Sequence, residues 1–217
     1  GDKTKEEIIR YTDRAVKFLI DKGVKMIVLA CNTATAAALD YLQDKYDIPI
    51  IGVVQPGARR AIQATENNKV LVLGTKFTAN SKVYDIEIEN INSYILVFDK
   101  ACPAFVPFIE SEGNLDKEAT KNILKDTLSN TSNLGIDTVV LGCTHYPILK
   151  KDIEEYYGNS IKVISSGREA AREVSTVLGY AKLHQKRLNK KEHKFYISEA
   201  SENFNNIASK WLNKEIT

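Results

Sequence analysis

The chain has 217 residues and a mass of 24.3 kDa, is 43% hydrophobic and 27% charged, and sets 30 basic against 28 acidic side chains for a net charge of +2. That composition is too apolar for a disordered chain, and its charge is too balanced for general attraction to nucleic acid, whose binders carry strongly basic faces. Eleven glycines and five prolines exclude collagen-like and low-complexity classes. No apolar run nears the roughly 18 residues that cross a bilayer, and the polar opening GDKTKEE reads as a helix start and not as a signal peptide, so no membrane partner is expected. Three cysteines, an odd count, argue against a secreted disulfide scaffold and for the reducing cytoplasm, where thiols stay available for chemistry.

Apolar runs of four to seven residues alternate with amphipathic segments, which predicts an α/β fold built on parallel sheets. The first helix is expected over 5–21, closed by Gly23. A strand over 25–30 then leads to a helix over 35–46, and a strand over 48–53 to a helix over 56–65 with Pro56 in its first turn. Next come a strand over 69–73, a helix over 79–89 and a strand over 94–98, followed by an aperiodic stretch, 99–113, with Pro103 and Pro107. Asp116 can cap a helix over 116–131; a strand over 138–141 precedes a helix over 147–156 opened by Pro147. A strand over 161–164 and a helix over 167–180 follow. The polar run 182–194, KLHQKRLNKKEHK, reads as a solvated connection and not as a patch for an anionic partner. A last strand over 194–197 and a helix over 201–211 complete the expectation.

Two of these units echo each other. Met26-Ile27-Val28-Leu29-Ala30-Cys31-Asn32-Thr33 and Thr138-Val139-Val140-Leu141-Gly142-Cys143-Thr144-His145 each run from an apolar strand through a small residue to a cysteine followed by hydrogen-bonding side chains. Each cysteine falls just past the carboxyl end of a predicted parallel strand, where open α/β sheets bind ligands and helix amino ends offer N–H groups to carboxylates and lower thiol pKa values. Because the cysteines are 112 residues apart, they belong to different βα units and are placed to face one another across a cleft. Two opposed thiols suit the inversion of a carbon centre by proton transfer, which needs a base on one face and an acid on the other. A cysteine hydrolase leaves the second thiol without a task. A zinc site from Cys31, Cys143 and His145 lacks the close-spaced cysteine pair of structural sites, so no metal and no cofactor are expected. Cys102, in Ala101-Cys102-Pro103, lacks the strand-to-helix context and reads as packing.

The segments Ala30-Cys31-Asn32-Thr33-Ala34 and Gly142-Cys143-Thr144-His145-Tyr146-Pro147, supported by Gly74-Thr75-Lys76-Phe77-Thr78 with Ser81 and Tyr84 and by Phe105-Val106-Pro107-Phe108-Ile109-Glu110, make the chain resemble the glutamate racemases of the aspartate/glutamate racemase family. The resemblance implies two similar lobes, each a mainly parallel sheet flanked by helices, with the active site in the cleft between them. One lobe would comprise residues 1–54 with 166–217 and carry Cys31; the other, 55–165, would carry Cys143. It also implies cofactor-independent interconversion of L- and D-glutamate, which supplies peptidoglycan synthesis, with Cys31 and Cys143 as the acid/base thiols and His145 assisting Cys143. Asn32, Thr33, Thr75, Thr78 and Thr144 would bind substrate, and Glu110 matches an accessory carboxylate of the family. His145 favours glutamate over aspartate, since aspartate racemases tend to carry Glu there. The alternatives are a racemase for aspartate or another amino acid and a non-catalytic, glutamate-binding fragment. The family's opening strand with its Asp-Ser pair has no counterpart here, and Gly1 matches the glycine of a later Pro-Tyr-Gly motif. Two readings follow: a truncated product, or a chain completed by a separate N-terminal piece. In either, the Cys31 lobe would present a free sheet edge prone to association, and so to homodimer formation.

Overall fold

In the computed structural model, which describes residues 3–111, 116–158, 160–185, 193–199 and 202–212, helix α1 (Lys5–Asp21) opens on a capping box. The Glu7 N–H donates to Thr4 Oγ1 at 3.3 Å and the Thr4 N–H to Glu7 Oε2 at 2.9 Å, satisfying two donors that a helix start leaves bare. Gly23 follows at φ +73°, donating to the Ile20 carbonyl, and is the expected terminating glycine. Strand β1 (Ile27–Leu29) leads to α2 (Asn32–Lys45), and β2 (Ile50–Gly52) to α3 (Val54–Ala64). β1 and β2 form a two-stranded parallel sheet in which Leu29 stands opposite Gly52. Val16 of α1 and Ala38, Leu39 and Leu42 of α2 pack onto Ile27, Leu29 and Ile50, while Val28 points to the uncovered face.

The larger sheet has four parallel strands in the order β4-β3-β5-β6, formed by β3 (Lys69–Gly74), β4 (Leu96–Ala101), β5 (Thr138–Gly142) and β6 (Lys162–Ser165). Strand alternation sorts its side chains. Leu71, Leu73, Val139 and Leu141 face a core made with α6 (Phe105–Ser111), α7 (Lys117–Leu128) and α8 (Lys150–Tyr157). Val70, Val72, Val140 and Ile164 face a second core made with α3 and with α5 (Val83–Ile91). The predicted strands all appear except the last.

Four expectations need correction. The helix expected over 79–89 is two, α4 (Lys76–Asn80) and α5, because Lys82 takes a left-handed conformation at φ 56° and its Nζ pairs with Asp99 Oδ2 at 3.1 Å. Burial raises the pKa of that carboxyl, which the Lys82 ammonium opposes. The helix expected to begin at residue 35 begins at Asn32, with Cys31 as its N-cap residue. The aperiodic stretch 99–113 holds the end of β4 and the short α6, whose seven residues carry too little pattern to read. Residues 194–197 form no strand: among the described residues they have no ladder partner, and Phe195, Tyr196 and Ile197 are exposed.

The chain divides into two compact units, Gly1–Leu183 and His184–Thr217. The first closes with α9 (Ser166–Tyr180), and the second contains α10 (Glu202–Leu212). Residues 186–192 of the basic run, the start of the helix expected at Ser201, and Gly1 of the family motif lie outside the described residues.

Asp137 anchors the turn between α3 and β3 to the start of β5. It accepts from Thr65 Oγ1 at 2.7 Å, the backbone N–H groups of Glu66 and Asn67 at 2.6 and 2.9 Å, and Thr138 Oγ1 at 2.9 Å. Partial burial by itself would raise the carboxyl pKa; these bonds to the ionised form outweigh it and hold the group below the usual carboxylate range. The stabilisation is therefore present above the unfolded value of about 3.9 and is lost as pH falls below it. Asp137→Asn is expected to cost about 1 kcal/mol at pH 7, solvent screening keeping the figure low, and to flatten the fall in urea midpoint seen below about pH 4.

Candidate active site

The register of the larger sheet builds the site. Gly74 of β3 stands opposite Gly142 of β5, so Thr75 and Cys143 leave the carboxyl edge of the sheet side by side. A Cβ at Gly142 would lie 2.9 Å from the Leu73 carbonyl oxygen and 3.3 Å from Tyr84 Cε2, so only glycine admits this approach of strand, strand and helix. Because the Leu73 carbonyl belongs to the ladder and cannot yield, Gly142→Ala is expected to destabilise the fold by about 1–3 kcal/mol, read as a fall of several degrees in Tm.

Cys143 is buried at the start of a 3₁₀ turn, Tyr146–Leu149, that runs into α8. Burial raises its thiol pKa, and the Cys31 sulfur adds to the rise; the N–H groups of His145, Tyr146 and Thr144 pull the other way and lose. The expected lowering by a helix amino end therefore does not prevail at Cys143, which holds its proton at neutral pH. Cys31 is exposed at the N-cap of α2. Cys102 is fully buried, its pKa pushed up to about 12 by that burial, in keeping with a packing role.

His145 joins Cys143 to Glu110. Its Nε2 lies 2.8 Å from Glu110 Oε1, and its Nδ1 lies 3.9 Å from Cys143 Sγ and 3.4 Å from Thr144 Oγ1. An ionised carboxylate only accepts, so Nε2 carries the proton toward Glu110; in the neutral ring this leaves Nδ1 as an acceptor facing the thiol. The ring is 21% and the carboxylate 40% exposed, so the pair orients the imidazole more than it stabilises the fold.

On the Cys31 side, Thr33 Oγ1 lies 2.9 Å from Thr75 Oγ1 and 3.3 Å from Thr78 Oγ1, and the last two are 3.1 Å apart. This triangle of hydroxyls links α2 of the smaller sheet to α4 of the larger one. Thr75 also caps α4, accepting from the Thr78 N–H at 3.2 Å. Asn32 is 2% exposed: its Oδ1 accepts from Tyr84 Oη at 2.7 Å and its Nδ2 donates to Ser166 Oγ at 3.3 Å. All eight residues expected at the site thus lie at the carboxyl edges of the two sheets, with Glu110 brought in from α6. Ser166 was not foreseen, and the only trace of it was a Ser-Ser-Gly following an apolar run. Among the described residues, no group of three His, Cys, Asp or Glu side chains is arranged to hold a metal ion. Two open recesses of about 350 Å³ lie elsewhere, along β6 beside Arg60 and Lys150.

The comparisons agree with this geometry. The Asp/Glu/Hydantoin racemase family matches residues 2–174. A protein of Listeria monocytogenes serotype 4a named glutamate racemase is 45% identical over 213 residues, covering 98% of this chain and 80% of that protein. Among solved structures, glutamate racemase isoform RacE1 of Bacillus anthracis superposes with a TM-score of 0.93 at 36% identity, covering 100% of this chain and 80% of that one. The glutamate racemase of Francisella tularensis in complex with D-glutamate superposes at 0.91 and 31% identity, with the same coverage. With both sheets, both thiols and the match over nearly its whole length, the chain belongs to the Asp/Glu/Hydantoin racemase family of amino-acid racemases.

Proposed function

We propose that the chain interconverts L- and D-glutamate, with Cys31 and Cys143 as the two acid/base groups, and that the product supplies peptidoglycan synthesis in the cytoplasm. The observation that supports the mechanism is the 2.9 Å contact of the Thr33 and Thr75 hydroxyls, which brings the sheet edge that carries Cys31 against the one that carries Cys143. In this reading one thiolate removes the α-proton from one face and the other thiol delivers a proton to the opposite face, the roles exchanging for the reverse reaction. Neither thiol is consumed, so no cofactor is needed. Glutamate as substrate is supported by the names of the relatives and by the D-glutamate complex of the Francisella protein.

The two thiols enter the cycle differently. Cys143, buried and protonated at rest, is ready to donate, and the Nδ1 lone pair of His145 is placed to take its proton when the reverse direction needs a base. Thr33, Thr75, Thr78 and Thr144, together with the N–H groups at the start of α2, supply donors for the substrate carboxylates and the charge that develops at the α-carbon. Asn32 contributes through its backbone N–H and its second amide hydrogen, the rest of its carboxamide being engaged. The lobe boundaries we assign, 1–54 with 166–217 and 55–165, put one thiol in each lobe, so that closure excludes water from a reaction whose carbon acid is weak.

In heavy water the chain is expected to exchange the α-hydrogen of glutamate but not of aspartate, followed by NMR. Cys31→Ala and Cys143→Ala are each expected to slow exchange with inversion by 10²-fold or more; both variants exchanging at the parent rate would refute the two-thiol mechanism. His145→Ala should lower kcat by about 100-fold. Glu110→Gln, which keeps a hydrogen-bond partner for Nε2 but removes its charge, should lower kcat only severalfold with KM little changed, measured by circular dichroism of the product.

A further inference from the structure

A continuous line of directed hydrogen bonds runs between the segments that carry the two thiols. The buried Tyr84 phenol on α5 donates to Asn32 Oδ1 at 2.7 Å, Asn32 Nδ2 donates to Ser166 Oγ at 3.3 Å, and the Ser166 hydroxyl donates to the Leu141 carbonyl at 3.1 Å. From Asn32, one residue after Cys31, two of these bonds lead to Leu141, two residues before Cys143, and the Tyr84 phenol holds the Asn32 amide from the side. Tyr84, Asn32 and Ser166 are all buried, and the line passes through an apolar core where hydrocarbon side chains of similar shape would pack as well without needing partners. Two glycines make room for it. A Cβ at Gly57 would stand 3.1 Å from Tyr84 Oη and 3.2 Å from Ser166 Cβ, and one at Gly142 would press on the Tyr84 ring.

We infer that Tyr84 and Ser166 are positioning residues which, through Asn32, set the separation of the Cys31 and Cys143 sulfurs for inversion at one carbon. Apolar packing holds elements together but tolerates sliding; two directional bonds in series, with the shared amide oriented by a third, fix a length. Inversion by two thiols depends on that length. If the first sulfur removes a proton while the second stands too far away, the proton returns from the first side, and deuterium enters without inversion. This inference rests on the two-thiol reading, but its first measurement does not require turnover.

The test compares Tyr84→Phe and Ser166→Ala with Tyr157→Phe, which loses a part-buried hydrogen bond to Thr131 (2.6 Å) elsewhere in the same compact unit. The first measurement uses dibromobimane, which fluoresces when it bridges two thiols, with the bridged pair mapped by mass spectrometry. The parent should bridge Cys31 to Cys143. Bridging relative to one-armed labelling should fall at least fivefold in Tyr84→Phe and Ser166→Ala, and should stay within twofold of the parent in Tyr157→Phe. The second is the ratio of deuterium incorporation with retention to incorporation with inversion, which should rise at least threefold in the first two variants only, with kcat falling more than KM changes. A parent that does not bridge, or bridging that is unchanged in both variants, overturns the inference. If the parent bridges but exchanges no α-hydrogen, the racemase reading falls and the bridging comparison still decides the positioning role. Should Tyr84→Phe fail to fold, Ser166→Ala carries the comparison.

Discussion

The site depends on one register, the pairing of β3 with β5 that sets Gly74 against Gly142. A parallel pair shifted by one residue would turn every side chain to the opposite face, sending Leu71, Leu73, Val139 and Leu141 out of the core they share with Phe105, Tyr146 and Leu149. The hydrophobic sorting of the strand interiors therefore also fixes what emerges at their ends. Tyr146 reinforces it from below, its phenol donating to the carbonyls of Gly74 and Cys102 across the ends of β3 and β4. Cys143 and Thr75 are thus placed by side chains buried in the core behind them.

Two thiols with the same local sequence plan occupy unlike surroundings. Cys31 stands exposed at the N-cap position of a helix, whereas Cys143 is buried just ahead of the 3₁₀ turn that Tyr146 begins. Desolvation disfavours the thiolate at Cys143 and the neighbouring sulfur charge disfavours it further, so two negative sulfurs are costly to hold at once. The His145–Glu110 pair stands on the buried side, where a proton has the harder exit.

Much of this was legible in the chain itself. Apolar runs bounded by glycine, proline and capping residues located six of the seven predicted strands, and Asp116 and Gly23 act as their residue types dictate. The paired Cys-containing strand ends stood out because the same plan occurs twice. Less legible were features set by tertiary contact. Lys82 divides the helix expected over 79–89 by taking a left-handed conformation that a lysine does not announce, with its ammonium 3.1 Å from Asp99 of β4. The 194–197 segment has the composition of a strand yet takes no strand conformation. Asn32 read as a residue open to substrate, and only the fold shows Tyr84 and Ser166 claiming its carboxamide. Residue type announces what a side chain is able to do; which partner occupies it is decided by segments far away in sequence.

The hydroxyl triangle of Thr33, Thr75 and Thr78 has a consequence of its own. It joins the small sheet to the large one with neutral groups alone, so dissolved ions neither tighten nor loosen the seam, and no titration within the ordinary range opens it. Water offers each hydroxyl nearly the same bonds that it gives up, which leaves parting and rejoining almost balanced in free energy. The junction is a clasp of three neutral bonds that solvent molecules can relieve one at a time.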